Sequence, residues 1–245
     1  MSLLRRLLLA LLALAAGAAA AGAAPPLVAD LSSREIAITT GFAGTELLLF
    51  GATEGPGDVV VVVRGPQREQ IVRRKIQVAG IWLNGESVRF ENVPVFYWVG
   101  STRPLDEIAA PRVLDERAIG TAHLVFAPAE ATASAAEFRA ALVRAKKRQS
   151  LYKEDGKVAV VADRLFRTNV IFPANLPTGD YHAEVYLVRD GRVASQHITT
   201  IEVARVVLGA RIYNFARQQA ALYGIMAIVI ALAAGWLAGV IFRKA

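Results

Sequence analysis

The sequence has no cysteine and only three histidines among its 245 residues. Without cysteine the chain needs no disulfide framework and carries no stray thiol into an oxidising compartment. The histidines, His123, His182 and His197, lack the short spacing of a metal site, so we predict no metal. The chain also lacks Gly-x-Ser-x-Gly, a phosphate loop, Gly-x-Gly-x-x-Gly and His-Glu-x-x-His. These absences leave no catalytic residue to nominate and no cofactor, and we expect a protein that is not an enzyme.

The sequence also lacks a net basic domain that could bind nucleic acid, although the net charge of the chain is +7 and its isoelectric point is about 10.0. Seven of the 28 basic residues lie near the two ends of the chain: Arg5, Arg6, Arg205, Arg211, Arg217, Arg243 and Lys244. The other 21 lie between residues 30 and 204 together with all 21 acidic residues. The neutral body excludes a nucleic-acid partner, whereas basic ends suit the anionic headgroups of a membrane.

The two ends of the chain predict its topology. Arg5 and Arg6, an apolar stretch over 7–16 and the small residues at 21–23 have the layout of a secretory signal peptide, residues 1–23. An uncleaved N-terminal anchor is the alternative. Residues 222–242 carry no charge and would rise about 31 Å as a helix, which predicts a transmembrane helix followed by a cytoplasmic tail at 243–245. We therefore expect a single-pass protein of the inner membrane with its main domain in the periplasm.

Residues 24–204 predict one mainly β domain, an immunoglobulin-like β-sandwich of seven to nine strands. Five consecutive valines, Val59–Val63, indicate a strand covered on both faces. Asn84-Gly85 predicts a two-residue hairpin turn, and Asp190-Gly191 predicts the turn of a last hairpin. Pro177-Thr178-Gly179 before Tyr181 resembles the corner in which a tyrosine hydroxyl bonds nearby backbone. Residues 101–155 predict a helical insertion, including a helix that opens with the capping box Ser134–Glu137. An amphipathic juxtamembrane segment is expected at 205–221.

Three groups of residues are candidates for contacts with other molecules. Trp82, Phe96 and Trp98 form a candidate aromatic patch, whose members either line a ligand site or belong to the core. Arg144, Lys146, Lys147 and Arg148 form a candidate basic docking patch, with a solvated helix face as the simpler interpretation. Ala227, Ala231, Gly235 and Gly239 recur at every fourth position and form a candidate helix-packing face.

Two long stretches resemble a known family. VVVRGPQREQIVRRKIQVAGIWLNGESVRFENVPVFYWVGS and LPTGDYHAEVYLVRDG, with the C-terminal IYNFARQQAALYGIMAIVIALAAGWLAG, are similar to a family of transmembrane proteins from alpha-proteobacteria. The similarity covers nearly all of residues 30–242. That family is defined by sequence and hydropathy rather than by an activity, so no functional residue carries over. The resemblance implies an accessory role beside a multi-pass exporter.

The sequence thus favours a membrane-anchored, non-enzymatic periplasmic protein that serves as an accessory or interaction subunit. Its expected partners are the membrane and either another membrane protein or a second copy of the chain. The alternative is a periplasmic module that binds a solute or glycan through exposed aromatic side chains.

Overall fold

A computed structural model describes residues 27–206 and 220–242, with side chains in the second range described at 224–226 and 228–239. The first range is mainly β, as predicted. Its strands are β1 (Leu27–Leu31), β2 (Glu35–Ile38), β3 (Gly44–Thr53), β4 (Asp58–Arg64), β5 (Gln67–Val78), β6 (Ile81–Pro94), β7 (Tyr97–Ser101), β8 (Tyr152–Lys157), β9 (Ala159–Val161), β10 (Leu165–Pro173), β11 (Gly179–Arg189) and β12 (Arg192–Arg205). These twelve strands exceed the seven to nine expected.

The strands form two sheets and a separate ribbon. One sheet has the order β1-β3-β10-β9, the other the order β2-β12-β11-β4-β7-β8, and β5 and β6 pair only with each other. The β12–β2 and β7–β8 pairs are parallel and the remaining pairs are antiparallel. The two sheets meet in one core, where Phe172 of β10 stacks on Phe96 at 5.1 Å and meets the Tyr181 ring of β11 edge-on at 6.1 Å.

Both faces of the six-stranded sheet are covered. The valine run forms β4, between β11 and β7, and all five of its side chains are buried. Tyr97 points away from Phe96 and Trp98 because side chains alternate along a strand, and its hydroxyl contacts the backbone of the helical insertion. Phe96 faces the four-stranded sheet. Residues 59–63 of β4 are therefore all apolar because neither face of the strand meets water there.

Short helices form the covering layer. They are α1 (Leu105–Ile108), α2 (Pro111–Arg117), a 3₁₀ turn at Thr121–His123, and α3 (Ala135–Arg148). Pro111 begins α2, where its missing N–H costs nothing. The capping-box prediction is wrong for α3: the Ser134 hydroxyl makes no cap bond and instead donates to Glu86 of β6. Phe138 and Leu142 supply the buried face of α3.

One further helix, α4 (Ala220–Phe242), lies in the second described range. No helix among the described residues is long and apolar enough to cross a membrane. This corrects the predicted fold, an immunoglobulin-like sandwich followed by a transmembrane helix at 222–242. The predicted signal peptide, the tail and all but the first two residues of the juxtamembrane segment lie outside the described residues.

Candidate interaction surface

The β5–β6 ribbon is an arm that continues a pair of sheet strands. The β4–β7 pairing ends at Arg64 opposite Tyr97, and the same register runs on without a shift to Arg68 opposite Val93. Backbone bonds from Gly65 N to Phe96 O (2.9 Å) and from Val95 N to Pro66 O (3.0 Å) bridge the junction. The arm is thus rooted in the central strands of the larger sheet.

The base of the arm is fixed to the domain. Phe90 and Val93 of β6 are fully buried. The segment after the 3₁₀ turn runs beside β6, with bonds from Glu91 N to Ala127 O and from Ala129 N to Arg89 O. These contacts stop short of the hairpin turn, so the arm has a packed base and a projecting tip.

The tip, defined as residues 76–83, is closed by a two-residue turn at Ala79-Gly80. Both turn residues have positive φ, 51° and 82°, as a type I′ turn requires. This placement corrects the turn predicted at Asn84-Gly85, which instead lies within β6 beside a register shift. The tip has no charged residue, and its large apolar side chains are all exposed: Ile76, Val78, Ile81, Trp82 and Leu83. A contiguous exposed apolar group of this kind marks an interaction site.

Basic residues lie directly below the tip. Arg73, Arg74 and Lys75 are consecutive in β5, and no acidic residue occurs between Glu69 and Glu86. Arg74 is held against α3, with its guanidinium 2.6 Å from the Glu137 carboxylate and 5.2 Å from the centre of the Phe138 ring. Within the described ranges Arg73 and Lys75 make no ion pair. We call these two residues the basic collar.

The arm leaves the domain at the end where the chain runs on toward α4. β11 is antiparallel to both β4 and β12, so β4 and β12 run in the same direction. His182 of β11 lies opposite both Arg64 and Thr200, and β12 continues from there to Arg205. The arm therefore projects from the sheet end at which β12 finishes.

The most buried ion pair in the domain has a structural role. Arg64 pairs with Glu184, which also accepts the Tyr186 hydroxyl, and both ionic side chains are mostly buried. A second Arg64 nitrogen donates to the Arg117 and Ala118 carbonyls at the end of α2, at 2.7 and 3.1 Å. Burial, reinforced by Glu184, raises the pKa of Tyr186 to about 12, so this phenol stays protonated. The cluster attaches α2 to the sheet beside the root of the arm and leaves no free base or nucleophile.

Glu154 of β8 forms a second such attachment. Its carboxylate accepts the Lys147 ammonium at 2.6 Å and the Thr121 amide, and so joins α3 and the 3₁₀ turn to the edge strand. Burial acts to raise the pKa of Glu154, but the bonds from Lys147 and Thr121 outweigh it and hold the pKa below its usual value.

This depressed pKa predicts a pH dependence. A carboxylate whose pKa is lower folded than unfolded stabilises above its unfolded pKa and loses that stabilisation as pH falls through its folded pKa. We expect Glu154→Gln to lower the free energy of unfolding by about 1 kcal/mol at pH 7, since hydrogen bonds to charged groups contribute about that much or more. Denaturant titrations should show the difference shrinking from pH 5 to pH 3. A difference that stays constant over this range would contradict the assignment.

The structure separates the three aromatic candidates. Phe96 and Trp98 are buried, at 0% and 2% exposure, whereas Trp82 is 63% exposed on the arm tip. Trp98 touches a cavity of about 560 Å³ whose charged lining residues are Lys153, Asp155, Lys157 and Arg167. Because the Trp98 ring is covered, this cavity presents no aromatic face on which a sugar could stack. Only Trp82 of the three is available to a ligand.

The structure also describes most residues of the other two candidate groups, the basic docking patch and the helix-packing face. Lys146 is buried in α3, and burial, followed by the charge of Arg68, lowers its pKa. Lys147 is engaged by Glu154, which leaves Arg144 and Arg148 as the exposed, unpaired members of the basic patch in the described part of the chain. Ala231, Gly235 and Gly239 are exposed on α4, and a Cβ added to either glycine would meet nothing within 4 Å. The Ala227 side chain is outside the described set.

No group of three histidine, cysteine, aspartate or glutamate side chains in 27–206 or 220–242 could hold a metal ion. The described domain therefore offers its strongest functional signal on a surface, the arm tip, rather than in a reactive pocket. Sequence reasoning missed this surface because it placed the turn five residues too late and grouped Trp82 with two core residues. The signal that could have found it is the uncharged run IQVAGIWL directly after VRRK.

A comparison with known families assigns the chain to one of them. Residues 26–244 match the family described as "Putative transmembrane protein (Alph_Pro_TM)", and the chain belongs to this family. This confirms the resemblance drawn from the sequence, and the family name carries membrane association with it. No protein of curated function matches the chain.

Proposed function

We propose that this protein is a non-enzymatic, membrane-associated interaction protein that engages a membrane partner through the tip of its β-hairpin arm. One observation carries the proposal: the uncharged tip exposes five large apolar side chains at the end of a rigidly rooted ribbon. An unprotected ribbon of this kind is a hazard for aggregation unless something covers it. The family supplies the membrane setting.

The polar chemistry of the domain supports a role without catalysis. The Arg64–Glu184 pair and the Glu154 contacts each connect a helix to the larger sheet. An enzyme site would need a nucleophile or general base with a free approach for substrate. In the proposal the domain faces the periplasm, because the first 23 residues have the layout of an export signal. It acts as an accessory subunit for a protein of the inner membrane.

Because the chain has no cysteine, a single introduced cysteine is its only thiol and can be labelled specifically. Ile81→Cys places one thiol on the tip, where Ile81 is 65% exposed, and Ile198→Cys places one on β12, where exposure is 55%. In intact spheroplasts a membrane-impermeant maleimide should label Ile198→Cys rapidly and Ile81→Cys at least about tenfold more slowly. Burial of an exposed isoleucine contributes about 1.5–3 kcal/mol, more than the 1.4 kcal/mol that corresponds to a tenfold change.

Each thiol reports on a different part of the proposal. Protection of Ile81→Cys that is lost in detergent, while Ile198→Cys reacts rapidly throughout, indicates a covered arm. Equal rates for the two thiols in intact spheroplasts would show that the tip has no partner and would end the proposal. Reaction of Ile198→Cys only after the membrane is permeabilised would contradict the periplasmic placement.

A further inference from the structure

We infer that the partner of the arm tip is the anionic lipid–water interface of the membrane itself. This inference rests on the proposed function and names the class of partner for the same site. It assigns the tip a shallow position at the boundary between headgroups and acyl chains, with the basic collar among the lipid phosphates.

The side chains of the tip suit that boundary. Ile76, Val78, Ile81 and Leu83 are cross-strand partners and share one face of the ribbon, while Trp82 lies on the other face opposite Gln77. Tryptophan concentrates where an apolar environment meets water, because its ring is apolar and its N–H donates a hydrogen bond. Peripheral segments with this composition bury their apolar groups about 5–10 Å into the interface.

The backbone limits how deep the tip can go. A two-stranded ribbon leaves the outer N–H and C=O groups of both strands unpaired, and such groups are not tolerated in the hydrocarbon core. At the level of the headgroups, water and phosphate oxygens can satisfy them. The ribbon therefore fits the interface and does not fit a transmembrane position.

Charge identifies the lipid as anionic. The basic collar, Arg73 and Lys75, lies within a few residues of the tip and makes no ion pair in the described ranges. Glu86 lies at the level of the collar, with its carboxylate 3.9 Å from the Arg74 guanidinium, and the arm beyond it carries no carboxylate. A juxtamembrane cluster of this sign is attracted to anionic headgroups. A protein partner would need acidic residues placed to match the collar, whereas an anionic bilayer offers phosphates on every side.

The position of the arm points to the same partner. The ribbon leaves the sheet at the end where β12 finishes, and fourteen residues, 206–219, separate β12 from α4 in the sequence. The outer face of the four-stranded sheet also exposes apolar side chains, including Phe50 and Ile171. There, however, Asp30 lies opposite Phe50 and Glu46 lies opposite Ile171. Carboxylates interleaved in this way make that face unsuitable for an anionic bilayer.

The experiment places the full chain in vesicles that contain no other protein. Ile81→Cys and Ile198→Cys proteins are reconstituted into vesicles of phosphatidylcholine alone or with phosphatidylglycerol, and maleimide labelling is timed. Ile198→Cys reports the fraction of molecules that face the reagent. We expect Ile81→Cys to react at least about tenfold more slowly than Ile198→Cys in the anionic vesicles only. Adding Arg73→Gln and Lys75→Gln to Ile81→Cys should weaken that protection by about 25-fold, because each neutralised residue weakens the attraction about fivefold.

Each possible result either supports or overturns the assignment of the tip to anionic lipid. Equal rates for Ile81→Cys and Ile198→Cys in anionic vesicles overturn it, and protection that ignores lipid charge and the collar overturns the assignment to anionic lipid. If Ile81→Cys is protected in spheroplasts but reacts freely in anionic vesicles, a protein covers the tip. The lipid assignment then fails while the proposed function stands. Free reaction in both settings ends both.

Discussion

Trp98→Ala is expected to lower the free energy of unfolding by about 4 kcal/mol, as large-to-small changes of buried aromatics do. The indole is 2% exposed and lies over two glycines of neighbouring strands, Gly100 of β7 and Gly156 of β8. Removing it would open a cavity between the two sheets that a β-sheet backbone cannot close. Guanidinium unfolding followed by far-UV circular dichroism measures the change. A cost below about 1 kcal/mol would show that the ring is not part of the core.

Gly156→Ala supplies a matched test of the same contact. A Cβ at this position would fall well inside van der Waals distance of the Trp98 ring, although the backbone of Gly156 has no positive φ. Steric overlap alone therefore makes the substitution unfavourable, and we expect a cost of about 2–3 kcal/mol. In a Trp98→Leu background the same substitution should cost at least about 1 kcal/mol less, since the overlap with the ring is gone and only the close approach to the Gly100 Cα, 2.8 Å, remains. Additive costs would contradict the packing.

Local signals in the sequence predicted some features correctly. The valine run forms a doubly covered strand, and Asp190-Gly191 forms the turn of the last hairpin with φ values of 50° and 71°. The Tyr181 hydroxyl donates to the Pro177 carbonyl at 2.5 Å, as the corner motif predicts. Each of these depends on chemistry within a few residues: β-branched side chains, an αL-tolerant turn pair, and a tyrosine after a proline corner.

The hairpin turn shows why a strong local signal can fail. Asn84-Gly85 favours positive φ. However, β5 and β6 continue the hydrogen-bond register of β4 and β7, and this register determines which of their residues pair. Continuing that ladder, with two register shifts, brings Val78 opposite Ile81 and leaves Ala79-Gly80 as the turn. Gly85 lies beside the second shift, where a Cβ would come 3.2 Å from the Ile76 side chain. Pairing over the whole ribbon therefore outweighed the preference of one dipeptide.

Which of the aromatic candidates are exposed could not be predicted from alternation, because burial also depends on the layers that pack on each face of the sheet. Alternation over residues 96–98 places Phe96 and Trp98 on one face and Tyr97 on the other, and such a pattern normally exposes one of the two faces to water. Here the helical insertion covers the second face, so all three are buried. Lys146 is buried in α3 for a similar reason, since its position in the helix faces the arm base rather than solvent. Of the three aromatic candidates, only Trp82 lies beyond both layers and stays exposed.

Glu184→Leu is expected to cost about 3–4 kcal/mol, because it leaves the Arg64 guanidinium mostly buried without its counter-charge. Arg64 is the last residue of β4, directly before the arm, and it also donates to the two carbonyls at the end of α2. The single variant should therefore loosen the helical layer and the root of the arm together. Denaturant unfolding gives the cost, and amide hydrogen exchange of residues 114–120 gives its location.

Arg64→Met combined with Glu184→Leu separates charge burial from packing. The double variant removes both charges and keeps most of the buried volume, so it should recover at least about 2 kcal/mol of the loss in Glu184→Leu. A residual cost of about 1 kcal/mol is expected from the α2 carbonyls that lose their donor. If the double variant is less stable than Glu184→Leu, the Arg64 guanidinium stabilises the domain without its counter-charge, through its bonds to the α2 carbonyls.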